Sequence, residues 1–283
     1  MWCESWVKSC ARLQAGALFF MPGSMAAIPS DSLTLQPLFP LALGRVQCKP
    51  DPLKTALMLQ EILRLRGEDG GNPQQGCAWT GDINGVWRLH RHPTFAPLVQ
   101  GLLGHAWQYL EDLGFDRSRL ALHIQRCWPV VSEAGQVVGR HHHPNAHLSA
   151  VYFINGDGSG RSGCLRFFPL AQPNELVSGL AVGHGGPLCP QIAAAGEQCW
   201  NAPWFDVAPR AGLLLLFPSR VDHAVLENMD PDDSRFSISL DLALSAAPAE
   251  AGDPPEYLAP HPSDWDPVAD PASVAAAFRE DGA

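Results

Sequence analysis

Apolar positions recur at helical spacing in two stretches of the N-terminal half. Leu53, Ala56, Leu57, Leu59, Ile62, Leu63 and Leu65 follow an Asp51-Pro52 opening and run to Gly67. Leu98, Leu102, Leu103, Ala106, Tyr109, Leu110 and Leu113 follow Pro93 and run to Gly114. Each stretch has a start signal, an apolar stripe and a glycine stop, which predicts an amphipathic helix covering a core. Leu35–Val46 reads as a first strand pair or an edge strand, and Trp79, Trp87 and Leu89 lie in a Gly-rich segment between the helices. Beyond residue 116 strands dominate. Leu120–Val131 is a strand, with Gln136–His143 expected as its return after a turn at Glu133-Ala134-Gly135. Leu148–Ile154 is closed by Asn155-Gly156-Asp157-Gly158, a turn signal from which Cys164–Phe168 is expected to pair back. Residues 171–202, rich in Gly, Pro and Ala, form a long excursion of the kind that serves as a lid or stays disordered. Gly212–Phe217 is an unbroken apolar run, the pattern of a strand buried on both faces. Ser234–Leu242 alternates strictly, with Arg235, Ser237, Ser239 and Asp241 on one face and Phe236, Ile238, Leu240 and Leu242 on the other. A hairpin turning at Met229 is expected to set His223 opposite Arg235 across the ladder.

With 46% hydrophobic and 17% charged residues, the 283-residue chain can bury a sizeable core, and one all-β domain of this size is ordinary. The net charge of −10 and the absence of any Lys/Arg cluster argue against nucleic acid, because phosphate binding rests on clustered cations. Eight cysteines without a C-x-x-C fit neither a disulfide framework nor a structural zinc site, so reduced thiols in a cytoplasm are expected. Lys8 and Arg12 ahead of Ala15–Met21 have the arrangement of a signal peptide, but the apolar run is at the short end of what one requires. No stretch approaches the roughly 20 apolar residues of a membrane span, so no membrane is expected as a partner.

Candidate chemistry concentrates at Arg140-His141-His142-His143-Pro144 and His147. If the run is extended, as Pro144 favours for the residue before it, His141 and His143 share one face while Arg140 and His142 share the other. His147 lies beyond Pro144. Neutral imidazole is the commonest metal ligand. His223, after the buried strand, is a third candidate, and Arg235 would bring a cation beside it, with Ser237 next on the same face. The bland readings are a pair of surface histidines, a satisfied core histidine at 223, and a strand arginine paired with Asp232, Asp233 or Asp241.

His141-x-His143-Pro144, Ser149, Tyr152-Phe153, Gly163 with Phe167 and Pro169, the Gly212–Ser219 run, His223 and Arg235-Phe236-Ser237 form an ordered set. That set resembles the iron(II)/2-oxoglutarate-dependent oxygenases, and more narrowly the 2OG-Fe(II) oxygenases close to the prolyl-hydroxylase branch. Weaker matches at Leu38-Phe39-Pro40, Trp79 and Trp87 extend the resemblance over residues 36–243. It implies a mainly β fold, a double-stranded β-helix (cupin-like jelly-roll) with an N-terminal helical support layer. Residues 1–32 are then a poorly ordered extension. Residues 33–244 are a single oxygenase domain, with helical support at 33–115 and the β core at 116–244. Residues 245–283 are a Pro/Ala/Asp-rich tail in which Trp265 and Phe278 could dock.

The resemblance further implies iron(II) at His141, His143 and His223, and 2-oxoglutarate held by Arg235 and Ser237. Oxygen is the third reactant, and a C–H bond of a small-molecule or peptidyl substrate is hydroxylated with release of succinate and CO2. His141, His143, His223 and Arg235 would carry catalysis, Trp128 and residues 171–202 would form the cleft wall and lid, and a homodimer is left open. Two features depart from the superfamily. The second ligand is His143 where a carboxylate is usual, with Asp222 facing away from His223. The inward aromatic would be Phe153, leaving Tyr152 outward. The rivals are a three-histidine cupin-like metalloenzyme that does not use 2-oxoglutarate and a non-catalytic jelly-roll binding module.

Overall fold

The structure is a computed structural model that describes residues 38–67, 74–171, 173–174, 202–247 and 258–265. The chain divides into two units, Met1–Leu41 and Ala42–Ala283. Every element below belongs to the second. The N-terminal extension, most of the 171–202 excursion and Phe278 lie outside the described residues.

Helix α1 spans Pro52–Arg66. Asp51 caps it, its Oδ1 accepting from the Leu53 and Lys54 amides at 3.0 and 3.2 Å, while Pro52 occupies the first turn where no N–H is needed. Gly67, at φ 72°, ends it by donating to the Leu63 carbonyl. Helix α2 spans Ala96–Asp112. Met58 and Ile62 of α1 and Val99, Leu102, Ala106 and Leu110 of α2 sit in one buried cluster with Leu148, Ala150, Tyr152, Leu214, Leu216, Ile238 and Leu240. The helices therefore cover one face of a sheet.

Among the described residues that sheet has six strands. They are β1 (Gly44–Gln47), β2 (Trp79–Thr80), β3 (Leu120–Ser132), β5 (Leu148–Phe153), β8 (Leu213–Pro218) and β10 (Arg235–Ala246), in the order β1-β8-β5-β10-β3-β2. A four-stranded sheet, ordered β4-β9-β6-β7, contains β4 (Val138–His141), β6 (Leu165–Phe167), β7 (Phe205–Val207) and β9 (His223–Val225). All these pairings are antiparallel. Phe153, Leu213, Leu215 and Phe217 of the large sheet meet Leu165, Phe167 and Val207 of the small one in a second buried cluster. The two sheets thus face each other as a jelly-roll. Strand β8, whose residues alternate between the helix-side and inter-sheet clusters, is buried on both faces, as its apolar run predicts.

Consecutive strands from β3 to β6, and again from β7 to β10, alternate between the two sheets, which corrects three expected pairings. Strand β4 does not return along β3 but pairs with β9, setting His141 opposite His223. Strand β6 does not pair back onto β5 but joins β7 and β9. Strands β9 and β10 lie in different sheets, so His223 and Arg235 are not cross-strand partners. The segment between them is occupied otherwise: the Leu226 amide donates to the Cys164 carbonyl and the Met229 amide to the Arg161 carbonyl. Buried Asn228 holds the crossing by donating to the carbonyls of Ser132 and Asp233. Among the described residues no helix is long and apolar enough to cross a membrane. In the described part of the tail, Ala246 donates to the Ala259 carbonyl, and Trp265 stays 57% exposed with its indole N–H on the Pro260 carbonyl.

Candidate active site

Strand β4 ends at His141, β9 begins at His223, and His143 lies two residues past β4, its amide donating to the Ser219 carbonyl. The register of β4 on β9 shifts between Val138 and His141, and that of β10 on β3 shifts at Asp241/Leu242. Such irregularities re-aim side chains next to functional sites. His141, His143 and His223 converge: each offers one ligand atom, and these atoms lie within 4.8 Å of one another. Ring centroids are 4.3 Å apart for His141 and His223, 5.1 Å for His143 and His223, and 5.2 Å for His141 and His143.

The other nitrogen of each ring is taken. His141 Nδ1 lies 2.7 Å from the Gly139 carbonyl and His223 Nδ1 2.9 Å from the Val221 carbonyl; a carbonyl only accepts, so both nitrogens carry the proton. His143 Nδ1 lies 2.5 Å from Asp241 Oδ1. In each ring this leaves Nε2 as the nitrogen available to a metal. Burial, followed by the charge of neighbouring His141, pushes His223 down to about 3, and burial lowers His141 as well, which keeps both rings neutral. Phe217 and Trp128 pack beside them, with centroids 5.1 Å from His223 and 5.7 Å from His143.

Parity disposes of the other candidates. Arg140 and His142 both turn to Asp222, at 2.8 and 3.0 Å, so Asp222 faces away from the three rings. His147 is exposed and accepts the Leu244 amide at its Nδ1.

The polar face of β10 points between the sheets. Arg235 is 1% exposed and donates Nη1 to the Gly163 carbonyl at 2.8 Å, while its Nε and Nη2 and the nearby Ser162 Oγ are buried without a partner among the described residues. Neither Asp232, Asp233 nor Asp241 pairs with it. Burial lowers its guanidinium to about 10, still charged at neutral pH. Ser237, also buried, is next along the same face. Phe153 lies in the inter-sheet cluster and Tyr152 in the helix-side one. A cavity of about 700 Å³ between α1 and residues 93–98 reaches Tyr152 but none of the three histidines.

Asp241 is the residue that sequence reasoning left out. It is 1% exposed and accepts from Arg126 Nε and Nη2 at 3.0 and 2.5 Å as well as from His143. Burial pushes its carboxyl up, but the hydrogen bonds and charges of His143 and Arg126 outweigh this and hold it below the usual carboxylate range. Strict alternation had already put it on the face of Arg235, and that was the available signal.

No curated protein matches the chain. The fold is similar to a Pseudomonas putida prolyl-4-hydroxylase, at 15% identity over 72% of this chain and 92% of that one, with a TM-score of 0.47. It is also similar to SnoK, a non-heme alpha-ketoglutarate-dependent carbocyclase from nogalamycin biosynthesis, at 16% identity over 76% and 90%, with a TM-score of 0.49. A third is HygX from Streptomyces hygroscopicus with nickel and 2-oxoglutarate bound, at 14% identity over 72% and 83%, with a TM-score of 0.46. Residues 126–241, which hold the three histidines, Arg235 and Asp241, match the family described as "Putative 2OG-Fe(II) oxygenase", so the core carries the sequence signature of the family it resembles.

Proposed function

We propose that this protein is an iron(II)- and 2-oxoglutarate-dependent dioxygenase that hydroxylates a C–H bond of a small-molecule or peptidyl substrate, releasing succinate and CO2. The donor set fits the metal: three imidazoles, each fixed by a hydrogen bond through one ring nitrogen, are ligands that iron(II) accepts through the other. When bound, iron supplies the redox chemistry through which 2-oxoglutarate and O2 react. The chain's own residues hold and orient: His141, His143 and His223 would hold the metal, with Trp128 packed beside His143 and Phe217 and Phe167 beside His223.

One observation carries the cosubstrate half of the reading. A charged guanidinium buried without a carboxylate is strongly unfavourable unless an anion completes it. Among the described residues Arg235 is in that position, with two of its nitrogens and the Ser162 hydroxyl unpartnered. A planar fork of this kind matches a carboxylate bidentately. We assign Arg235, with Ser237 and Ser162, to the distal carboxylate of 2-oxoglutarate. The charges agree, because divalent iron and Arg235 together exceed Asp241 by two positive charges, which a dianion neutralises.

The test is made on protein purified without oxygen. It should bind a single iron(II), show a charge-transfer band on titration with 2-oxoglutarate, and form succinate in air. His141→Ala and His223→Ala should lose the iron and His142→Ala should keep it. Metal binding without any response to 2-oxoglutarate would favour a three-histidine metalloenzyme instead, and absence of metal binding would favour a non-catalytic module.

A further inference from the structure

The three histidines are not held alike. His141 and His223 each donate Nδ1–H to the carbonyl two residues back in their own segments, a neutral acceptor. His143 alone is backed by a carboxylate, and that carboxylate comes from the opposite sheet, six residues along β10 from Arg235. Asp241 is itself fixed on every side. Ser149 Oγ lies 3.2 Å from both Asp241 Oδ1 and His143 Nδ1, and 2.9 Å from Ser219 Oγ. Arg126 grips Oδ2 with two nitrogens and turns its third to Asp82 at 2.7 Å, while its guanidinium lies over the Trp128 ring at 4.6 Å. A buried carboxylate is unfavourable unless fully paired, and a jelly-roll interior has no need of one. The neighbouring inward positions on β10, Ser237 and Ser239, carry only hydroxyls.

We infer that Asp241 is a positioning residue of the metal centre, acting through His143. It fixes the tautomer and ring orientation that present His143 Nε2. It would also supply, one hydrogen bond beyond His143, the negative charge that the ligand carboxylate supplies directly in a two-histidine, one-carboxylate site. The inference rests on the metal reading above and goes further: a carboxylate acts on the site through His143, where the usual triad has one as a ligand. Arg126 and Ser149 hold its two oxygens in place, and Asp82 balances Arg126.

The experiment is a double-mutant cycle on metal affinity, measured by anaerobic competition titration with cobalt(II) and zinc(II) on the full chain. In the wild-type background, Asp241→Ala should weaken metal binding by about 10–100-fold, the range found for such outer partners, and Asp241→Asn by less. In a His143→Asp background the carboxylate is already on the metal and faces Asp241, so the same Asp241 substitutions should be neutral or should tighten binding. A merely structural role predicts an equal loss in both backgrounds, and that result would overturn the inference. A second readout needs no Asp241 variant. The zinc-loaded wild type should show a low-field Nδ1 proton resonance that disappears in His143→Asp, and its absence would also count against the inference. If the wild type binds no divalent metal, the functional reading fails with it; if it binds metal and Asp241→Ala binds equally well, only the role of Asp241 falls.

Discussion

A guanidinium closed off from water is stable only with its donors satisfied, and Arg235 leaves Nε and Nη2 unpartnered among the described residues. This makes it the most informative single residue for separating binding of the cosubstrate from binding of the metal. Truncating one partner of a buried charge pair costs about 2–5 kcal/mol. Arg235→Ala should therefore raise the apparent constant for 2-oxoglutarate by roughly thirtyfold or more while iron affinity stays nearly intact. Arg235→Lys should fall between, because an ammonium keeps the charge and loses the fork. Titration of 2-oxoglutarate into iron-loaded protein reads this directly, and equal midpoints for wild type and Arg235→Ala would remove the residue from the site. The Nδ1 contacts matter at the same scale. A histidine whose proton is committed to a carbonyl has no choice of ligand nitrogen, so His141 and His223 are prepared for a metal by their own backbones.

At the scale of elements, the site depends on strands that cross from sheet to sheet, and on backbones that approach closely where they cross. Gly163 is the tightest such place. It sits at φ +88°, and a Cβ there would run into the Leu226 carbonyl of the segment leading out of β9. Its own carbonyl accepts Arg235 Nη1 at 2.8 Å. Gly163→Ala should destabilise the fold by at least about 1–2 kcal/mol, from the left-handed backbone alone, with the steric conflict adding to it. It should also weaken 2-oxoglutarate binding, because the carbonyl that orients Arg235 has to move. Urea unfolding of the metal-free protein measures the first effect and the cosubstrate titration the second. An unchanged unfolding midpoint would show that the crossing tolerates a side chain.

Across the whole domain the candidate metal site joins the two sheets. His141 and His223 belong to the small sheet, and His143 is tied through Asp241 to β10 of the large one. A ligand bound only by the folded state stabilises it by about 2.7 kcal/mol when present at a hundred times its dissociation constant. For a domain of this size that corresponds to a rise in Tm of about 5–10 °C. Chelation should reverse the shift in wild type and in His142→Ala, whereas His223→Ala should melt at one temperature with or without metal. Calorimetry checks this.

Local pattern decided much of this protein. The limits of α1 follow from Asp51, Pro52 and Gly67, because caps act over a few residues. The double burial of β8 follows from its unbroken apolar run, and the inward set Arg235, Ser237, Ser239 and Asp241 follows from the period of a strand. The same parity put His141 and His143 together and turned His142 away. Strand partners were different. A turn signal reveals that the chain bends but not which sheet the next strand joins. The expected pairings of Gln136–His143, of Cys164–Phe168 and of His223 with Arg235 all failed there, because the jelly-roll carries each of those connections across to the other sheet. Only tertiary structure brought Asp241 from 98 residues away to His143, and only it buried Arg235 with no carboxylate beside it among the described residues. Both depend on two sheets closing over one interior, where distance along the chain has no bearing on which charges meet.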